Sequence, residues 1–377
     1  MWLSAGEALA RLGSKPQSLY ANVSRGRIRA KPDPGDSRRS LYREEDVDRV
    51  ARRSRGRRSA ATTASEAISW GDPVLTSTVS TVAGGRLAYR GVDAADLSVS
   101  GTLEDVAELL WARSYAPVVP MTAIEPSIGA ALIALASRVP NDPPSSGRGT
   151  SQLRDDAVVV HTTVVGGLVG AGQGPLHQRL AERFARPAAA DAFRRALVLL
   201  ADHELNASTF AARVTVSTGA PLSAGVLAGL AALGGPRHGN ATLEVIALAE
   251  DIEAHPESAE DALLDWLGER RAVPGFGHPL YPRGDVRSQA LLAAIDIPRA
   301  FVRLAAAGEA ILEEAPNIDF ALAALAAAHG LPREAPATIF ALARSVGWLA
   351  HCIEQAVSGQ LIRPRARYVG PPVATRG

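Results

Sequence analysis

The chain has 377 residues, of which 47% are hydrophobic, 21% charged and 5% aromatic, a composition typical of helix-rich globular proteins. That length allows two or three domains with ample buried core. The single cysteine, Cys352, excludes a disulfide within the chain, disfavours a thiolate metal site and indicates a cytoplasmic location. No apolar run reaches the ~18 residues of a spanning helix, and no signal-peptide pattern opens the sequence, so we expect no membrane contact.

The charge is unevenly distributed along the chain. Residues 1–60 contain 15 Lys and Arg against 7 Asp and Glu, a net charge of +8, and the remainder therefore carries −7 of the overall +1. A basic segment of this kind indicates a polyanionic partner.

The basic segment predicts a small domain over residues 1–55. Ser4 suits the N-cap of a first helix that ends at Gly13, and Pro16 suits the first turn of a second. Residues 27–42 predict a hairpin and residues 43–53 a third helix. The arrangement resembles the winged-helix DNA-binding domains of the excisionase and MerR type.

That resemblance implies a helix-turn-helix whose second helix enters the major groove of DNA, while four arginines contact phosphates. These are Arg25, Arg27, Arg38 and Arg39. The alternatives are a solvated face on a small helical domain, or a module kept as an interaction arm. Residues 56–65 lie in an Arg-, Ser- and Ala-rich stretch that predicts a linker.

From residue 66 onwards, long Ala- and Leu-rich segments with apolar residues at helical spacing predict an all-α body. The β-branched run at 157–167 is compatible with a short strand, but its context favours a buried helix.

Polar groups of unusual type interrupt this body. The segment 272–287, AVPGFGHPLYPRGDVR, surrounds His278 with three prolines and three glycines, which predicts a rigid, shaped loop. Imidazole can donate, accept or carry a proton near neutral pH. A turn with an incidental histidine is the alternative for this segment taken alone.

Four such stretches follow one another in a specific order. They are DHELNASTF with His203, GGPRHGNA with His238, the loop with His278 and Arg287, and PNIDFALAAL with Asp319. In order and spacing they resemble the citrate synthase family. The resemblance extends from residue 85 to residue 370 and is weakest between 115 and 195.

The resemblance implies a fold and a reaction. The fold is a large helical domain, residues 66–238 and 329–377, interrupted by a small helical domain, residues 239–328, with a cleft that closes on the substrates. The reaction is that of the tricarboxylic acid cycle, condensation of acetyl-CoA with oxaloacetate to citrate and free CoA. Asp319 is then the base, His238 stabilises the enolate and His278 activates the ketone.

The residue types fit this chemistry. Asp319 precedes an apolar run that would desolvate its carboxylate and make it a better base. His238 precedes a predicted helix whose dipole disfavours the imidazolium form, so a neutral imidazole can donate to the thioester oxygen.

The resemblance also implies the binding residues. His203 is a second donor to oxaloacetate. The carboxylates of oxaloacetate bind three arginines, Arg287, Arg344 and Arg363. Arg363 reaches the other subunit's site, which implies a homodimer. The loop backbone contacts CoA at Pro274, Gly275, Phe276 and Gly277. Acyl-CoA is a co-substrate, and neither a bound cofactor nor a metal is expected.

Some positions depart from the family pattern or imitate it. Val286 replaces the usual proline before Arg287, which we expect to loosen that backbone. A Gly-Pro-Leu-His that imitates the Gly-Pro-Arg-His ending at His238 ends at His177, which we interpret as structural. His161, His255, His329 and His351 are assigned to packing.

Two other functions remain open. The first is 2-methylcitrate synthase, which uses propionyl-CoA with the same catalytic groups, because one methylene in an apolar pocket discriminates by only ~1–3 kcal/mol. The second is a DNA-binding regulator whose synthase-like body senses a metabolite.

Overall fold

The computed structural model describes residues 2–12, 19, 23, 28–33, 36–48, 75–119, 125–236, 238–239, 241–254, 259–269, 273–366 and 369–371. The chain forms two compact units, Met1–Val74 with Arg365–Gly377, and Leu75–Pro364. The predicted linker 56–65, His255, Arg25 and Arg27 lie outside the described residues.

The first unit contains helix α1 (Ala5–Leu12) and an antiparallel sheet of three strands. The strands are β1 (Trp2–Leu3), β2 (Ala30–Asp33) and β3 (Asp36–Arg43), in the order β1-β3-β2. Ser4 caps α1, because its hydroxyl accepts the Glu7 N–H at 3.3 Å and Glu7 accepts the Ser4 N–H at 2.8 Å. The predicted first helix and hairpin are thus confirmed.

The second predicted helix of this unit falls almost entirely outside the described residues, and the third is described as helical over 44–48. Arg38 and Arg39 lie on β3. The helix-turn-helix therefore stays a prediction.

The second unit opens with a small antiparallel sheet, where the sequence predicted only helices. Its strands are β4 (Ser80–Ala83), β5 (Arg86–Tyr89) and β6 (Val92–Asp93), in that order. Gly84 and Gly85 have φ of +61° and +80° in the first turn, a conformation that favours glycine. Strands of four residues or fewer carry too little alternation to be detected from the sequence.

The rest of the second unit, as far as the structure describes it, is mainly helical, with a 3-10 turn at Pro187–Ala189. The helices are α2 (Ala94–Leu97), α3 (Leu103–Trp111), α4 (Ile128–Arg138), α5 (Thr150–Leu168), α6 (Leu176–Arg183), α7 (Ala190–Leu200), α8 (Ala207–Ser217), α9 (Leu222–Leu233), α10 (Ala241–Ala254), α11 (Ala259–Glu269), α12 (Val286–Leu292), α13 (Arg299–Leu312), α14 (Ile318–Ala328) and α15 (Ala335–Ser358). Helix α5 contains the β-branched run 157–167 and confirms its interpretation as a buried helix.

Two hydrophobic cores organise these helices. The larger core is built on α15, whose 24 residues are mostly buried, together with α3, α5, α7, α8 and α9. The smaller core lies between α10, α11 and α13, with the ring of Phe276 packed into it. Helix α14 contributes to both, since Leu322 packs in the larger core and Phe320 in the smaller. A residue at the start of α14 therefore stands where the two cores meet.

Within the described part of the chain, none of the helices combines the length and apolar character needed to cross a membrane.

Candidate active site

The loop that carries His278 is fixed against the segment preceding α14. Gly277 N–H donates to Ala315 O at 2.9 Å, Asn317 N–H donates to Gly275 O at 2.8 Å, and the Asn317 side-chain amide donates to Gly277 O at 3.0 Å. Gly275 and Gly277 have φ of +85° and +65°, which a side chain would strain. The shaped loop predicted from the sequence is thus confirmed, and it is tied to the chain that bears Asp319.

Asp319 occupies the first turn of α14. Asn317 caps this helix by accepting the Asp319 N–H at 3.0 Å, and the Thr242 hydroxyl of α10 donates to Asp319 Oδ1 at 3.1 Å. Burial raises the pKa of Asp319, and the Thr242 hydrogen bond partly opposes that rise. A partly desolvated carboxylate of this kind is a stronger base than one in water.

His238 lies in the turn between α9 and α10. Its Nε2 is 2.8 Å from Ser208 Oγ, and its ring meets the Phe340 ring edge-on at 6.2 Å between centroids. Ser208 Oγ also accepts the Trp348 indole N–H at 3.2 Å and lies 2.9 Å from Asn206 Oδ1. Burial, with the positive charge of Arg344 adding to it, lowers the pKa of His238 to about 4. This imidazole is therefore neutral at pH 7, and its burial is a cause that the sequence did not show.

His278 is neutral as well, and its proton can be placed. Burial lowers the pKa of His278 to about 4, and the charge of Arg287 adds to that effect. The Leu280 N–H donates to His278 Nδ1 at 3.1 Å, so Nδ1 carries no proton. The neutral ring is therefore protonated on Nε2, which makes Nε2 a hydrogen-bond donor.

The two residues that flank His203 are hydrogen-bonded to strand β4. Asp202 accepts the Ser80 hydroxyl, and the Glu204 carboxylate accepts the Val82 N–H. The ring of His203 lies edge-on to that of His278, with 5.1 Å between centroids. Burial lowers the pKa of His203 well below its ordinary value. His351, assigned to packing, lies 3.1 Å from Asp202 through Nε2 and helps to fix the same segment.

Arg287 is buried, at 3% exposure, in a bidentate pair with Asp285. Nε and Nη2 donate to the two carboxylate oxygens at 2.9 and 2.7 Å. Asp285 also caps α12 by accepting the Arg287 N–H at 3.0 Å. The cap and the pair constrain the backbone on both sides of Val286, the position where we expected loosening. Nη1 has no hydrogen-bond partner among the described residues, so it can still bind an anion.

Arg344 projects from α15 and is 1% exposed. Its Nε donates to Leu200 O at 2.9 Å, and its guanidinium carbon lies 4.7 Å from the centre of the Phe340 ring. Burial lowers the pKa of Arg344 to about 10, so it remains charged at pH 7. Within the described ranges, its two terminal nitrogens have no hydrogen-bond partner, which suits them to a carboxylate.

The structure thus brings together His203, His238, His278, Asp319, Arg287 and Arg344. The charge of Arg344 contributes to the lowered pKa of both His203 and His238, and that of Arg287 acts on His203, His278 and Asp319. Arg363 does not join them in the single chain, where it is exposed. The described residues contain no group of three or more His, Cys, Asp or Glu arranged to hold a metal ion.

The predicted CoA loop is present, but Phe276 turns inward. Its ring packs at 5.5 Å from that of Phe320 in the smaller core and is 7% exposed. The Phe276 side chain is therefore not available to a ligand, whereas Pro274 and Gly277 are partly exposed.

Further residues, to which the sequence assigned no role, position the site. Thr242, Asn317, Asp285, Ser208 and Tyr281 each contact a site residue through a hydrogen bond. All but Thr242 lie in the stretches already singled out, so their proximity in sequence was the available signal.

Comparisons with known proteins point to one family. A family model described as "Citrate synthase, C-terminal domain" matches residues 162–365. Citrate synthase 2 of Bacillus subtilis is 30% identical over 350 residues, covering 78% of this chain and 93% of the relative. A 2-methylcitrate synthase of Shewanella oneidensis is 36% identical over 185 residues, 46% of this chain and 49% of the relative. The crystal structure of citrate synthase from Thermotoga maritima superposes with a TM-score of 0.66 at 26% identity, covering 81% of this chain and 96% of that one.

The fold and the comparisons together indicate an all-α transferase. The chain belongs to the citrate synthase family. Membership implies an enzyme that condenses acetyl-CoA, as co-substrate, with oxaloacetate.

Proposed function

We propose that this chain catalyses the citrate synthase reaction, forming citrate and free CoA from acetyl-CoA, oxaloacetate and water. The observation that carries the proposal is the grouping of a desolvated carboxylate, Asp319, with two neutral imidazoles, His238 and His278.

In the first step, Asp319 removes a proton from the methyl carbon of the thioester. The C–H electrons form the enolate, whose oxygen receives a hydrogen bond from His238. This role requires the Ser208 hydroxyl to donate to His238 Nε2 across their 2.8 Å contact, because the imidazole proton then lies on Nδ1. The Asn206 oxygen, the other acceptor near Ser208, already receives the Thr209 N–H at 2.9 Å.

In the second step, the enolate carbon attacks the ketone of oxaloacetate and a carbon–carbon bond forms. The ketone oxygen takes the proton from Nε2 of His278, the tautomer set by the Leu280 N–H. Water then cleaves the citryl thioester to citrate and the CoA thiol. The oxaloacetate carboxylates bind Arg344, Arg287 and, from the partner subunit, Arg363.

The test is release of CoA thiol from acetyl-CoA by the purified protein, which we expect only when oxaloacetate is added. Asp319→Asn keeps the shape of the side chain and should abolish turnover. Asp296→Asn, an exposed carboxylate outside the site, is the matched control and should remain active. Full activity of Asp319→Asn would remove Asp319 as the base.

A second candidate is 2-methylcitrate synthesis from propionyl-CoA. It is favoured by the similarity to the Shewanella enzyme and by an apolar cavity of about 60 Å³ next to His238. Phe340, Gly239, Leu233, Leu230, Ala337, Ile128 and Gly234 line this cavity. Side-by-side kcat/KM values for the two thioesters decide between the candidates. Filling the cavity by Ala337→Leu should then reduce the propionyl rate more than the acetyl rate.

The homodimer is part of the proposal, because Arg363 is exposed in the single chain and the family resemblance assigns it to the site of a second copy. Mixing inactive Asp319→Asn chains with inactive Arg363→Ala chains should restore activity, since a mixed dimer has one intact site. Mixing two preparations of Asp319→Asn is the control, and no recovery in the first mixture would contradict a shared site.

We also propose that residues 1–55 form the winged-helix domain, that residues 66–238 and 329–377 form a large domain interrupted by a small domain of residues 239–328, and that the protein is cytoplasmic.

The net charge of +8 over residues 1–60 supports DNA binding, either beside catalysis or in a regulator that senses a metabolite. Salt-sensitive retardation of duplex DNA by the intact chain, lost on deleting residues 1–60, would support it. No retardation at low salt would contradict it.

A further inference from the structure

One buried tyrosine of the histidine loop touches three residues of the candidate site. The hydroxyl of Tyr281 lies 2.9 Å from His203 Nε2. Its ring centre is 5.1 Å from that of His278 and 5.1 Å from the guanidinium carbon of Arg287. Tyr281 is 2% exposed, so water does not compete for its hydroxyl.

The direction of this hydrogen bond follows from chemistry. A neutral imidazole nitrogen without a proton is a good acceptor and a phenol is a good donor, whereas a phenol oxygen is a weak acceptor. His203 is neutral because of its burial, which lowers its pKa. The favourable arrangement is therefore Tyr281 O–H donating to His203 Nε2.

The second nitrogen of His203 then carries the ring proton. Nδ1 of His203 has no hydrogen-bond partner among the described residues. It is also not fully enclosed by protein atoms. A donor in this position, edge-on to His278, can bind the carboxylate or ketone oxygen of an oxo acid. Without the Tyr281 hydroxyl, the proton of His203 could move to Nε2 and leave only an acceptor at Nδ1.

We propose that Tyr281 is a positioning residue that fixes His203 as an Nδ1–H donor and thereby sets the affinity for the oxo-acid substrate. The inference rests on the proposed function, and it concerns the second substrate rather than the acyl-CoA. Tyr281 donates to His203, and His203 in turn contacts the substrate.

The test uses Tyr281→Phe, which removes the hydroxyl and keeps the ring that packs on His278 and Arg287. We expect KM for oxaloacetate to rise roughly tenfold, in line with one lost hydrogen bond in a dry site. KM for the acyl-CoA should stay unchanged and kcat should change little. Tyr115→Phe is the matched control, because this buried hydroxyl contacts Nδ1 of His161, a histidine outside the site, and its loss should leave both KM values unchanged.

A double substitution separates tautomer control from packing. In His203→Asn the side-chain amide takes the place of Nδ1–H and needs no hydroxyl to orient a proton. Adding Tyr281→Phe to His203→Asn should then change KM for oxaloacetate by no more than about twofold, within the error of additive effects. A further tenfold loss in that background would overturn the proposal, because it would show that the hydroxyl acts on the substrate or the fold directly.

A spectroscopic test does not depend on turnover. The chain contains 8 histidines, and the ¹⁵N signals of His203 can be assigned from their absence in His203→Asn. We expect a protonated Nδ1 and an unprotonated Nε2 in the wild type, and a mixture or reversal in Tyr281→Phe. Identical His203 signals in both proteins would refute tautomer control even if thiol release is observed. If the expected signals are observed but no thiol is released, the tautomer assignment is supported and the proposed reaction is contradicted.

Discussion

Thr242 provides a sensitive test of the pKa of the proposed base. Its hydroxyl donates to Asp319 Oδ1 at 3.1 Å, and Thr242 is 4% exposed, so water cannot replace the bond when it is removed. Thr242→Val keeps the shape and deletes the donor. Burial already raises the pKa of Asp319, and loss of the bond should raise it further, because the ionised form loses more than the protonated form.

The size of the effect follows from hydrogen-bond energies. A hydrogen bond to a charged group is stronger than one to a neutral group by about 1 kcal/mol, so losing it disfavours the ionised form of Asp319 by that amount. Where Asp319 is largely protonated, this corresponds to roughly a fivefold lower kcat/KM. The acidic limb of the pH–rate profile should therefore move to higher pH, while the plateau above it changes little. Rates of thiol release from about pH 5 to pH 9 measure this directly, since pH–rate profiles report such groups.

The matched control is Thr338→Val. Thr338 is also buried in a helix, at 1% exposure, and its hydroxyl has no hydrogen-bond partner among the described residues. Its profile should superimpose on that of the wild type. A Thr242→Val profile that is unshifted, or lowered equally at every pH, would refute the reasoning about Asp319.

Three further predictions concern the arginines and the loop. Asp285→Asn should lower the free energy of unfolding by about 3–5 kcal/mol in urea titrations, because it leaves buried Arg287 without its counter-charge; retained stability would contradict the pair. Burial raises the pKa of Asp285, but the charge and hydrogen bonds of Arg287 lower it by more, so this pKa lies below its ordinary value. The Asp285–Arg287 pair therefore stabilises the fold above the pKa of an aspartate in the unfolded chain, about 3.9. In acid titrations of the wild type, this stabilisation should be lost as the pH falls through the pKa of Asp285 in the folded protein. Arg344→Gln should raise KM for oxaloacetate more than about tenfold, and an unchanged KM would exclude Arg344 from binding. Gly308→Ala would push a Cβ into the Phe276 ring, so we expect a higher KM for acyl-CoA with the oxaloacetate KM unchanged; the reverse pattern would count against the loop's role.

The sequence alone determined the helical body and the residue types of the site. The apolar run after Asp319 predicts a buried segment that desolvates its carboxylate, and α14 is such a buried helix with Asp319 in its first turn. The prolines and glycines around His278 predict a shaped loop, and the structure shows one, in which Gly275 and Gly277 have positive φ. Both inferences succeed because they depend on local sterics and periodicity, which are written within a dozen residues.

Only the tertiary structure decided how these groups act on one another. The bond between Thr242 and Asp319 joins residues 77 apart in the chain, and that between His203 and Tyr281 joins residues 78 apart. Neutral imidazoles at His238 and His278 result from burial, which is a property of the packed molecule. The pKa of a side chain depends on surrounding atoms brought there by the fold, and for that reason no local pattern could supply it.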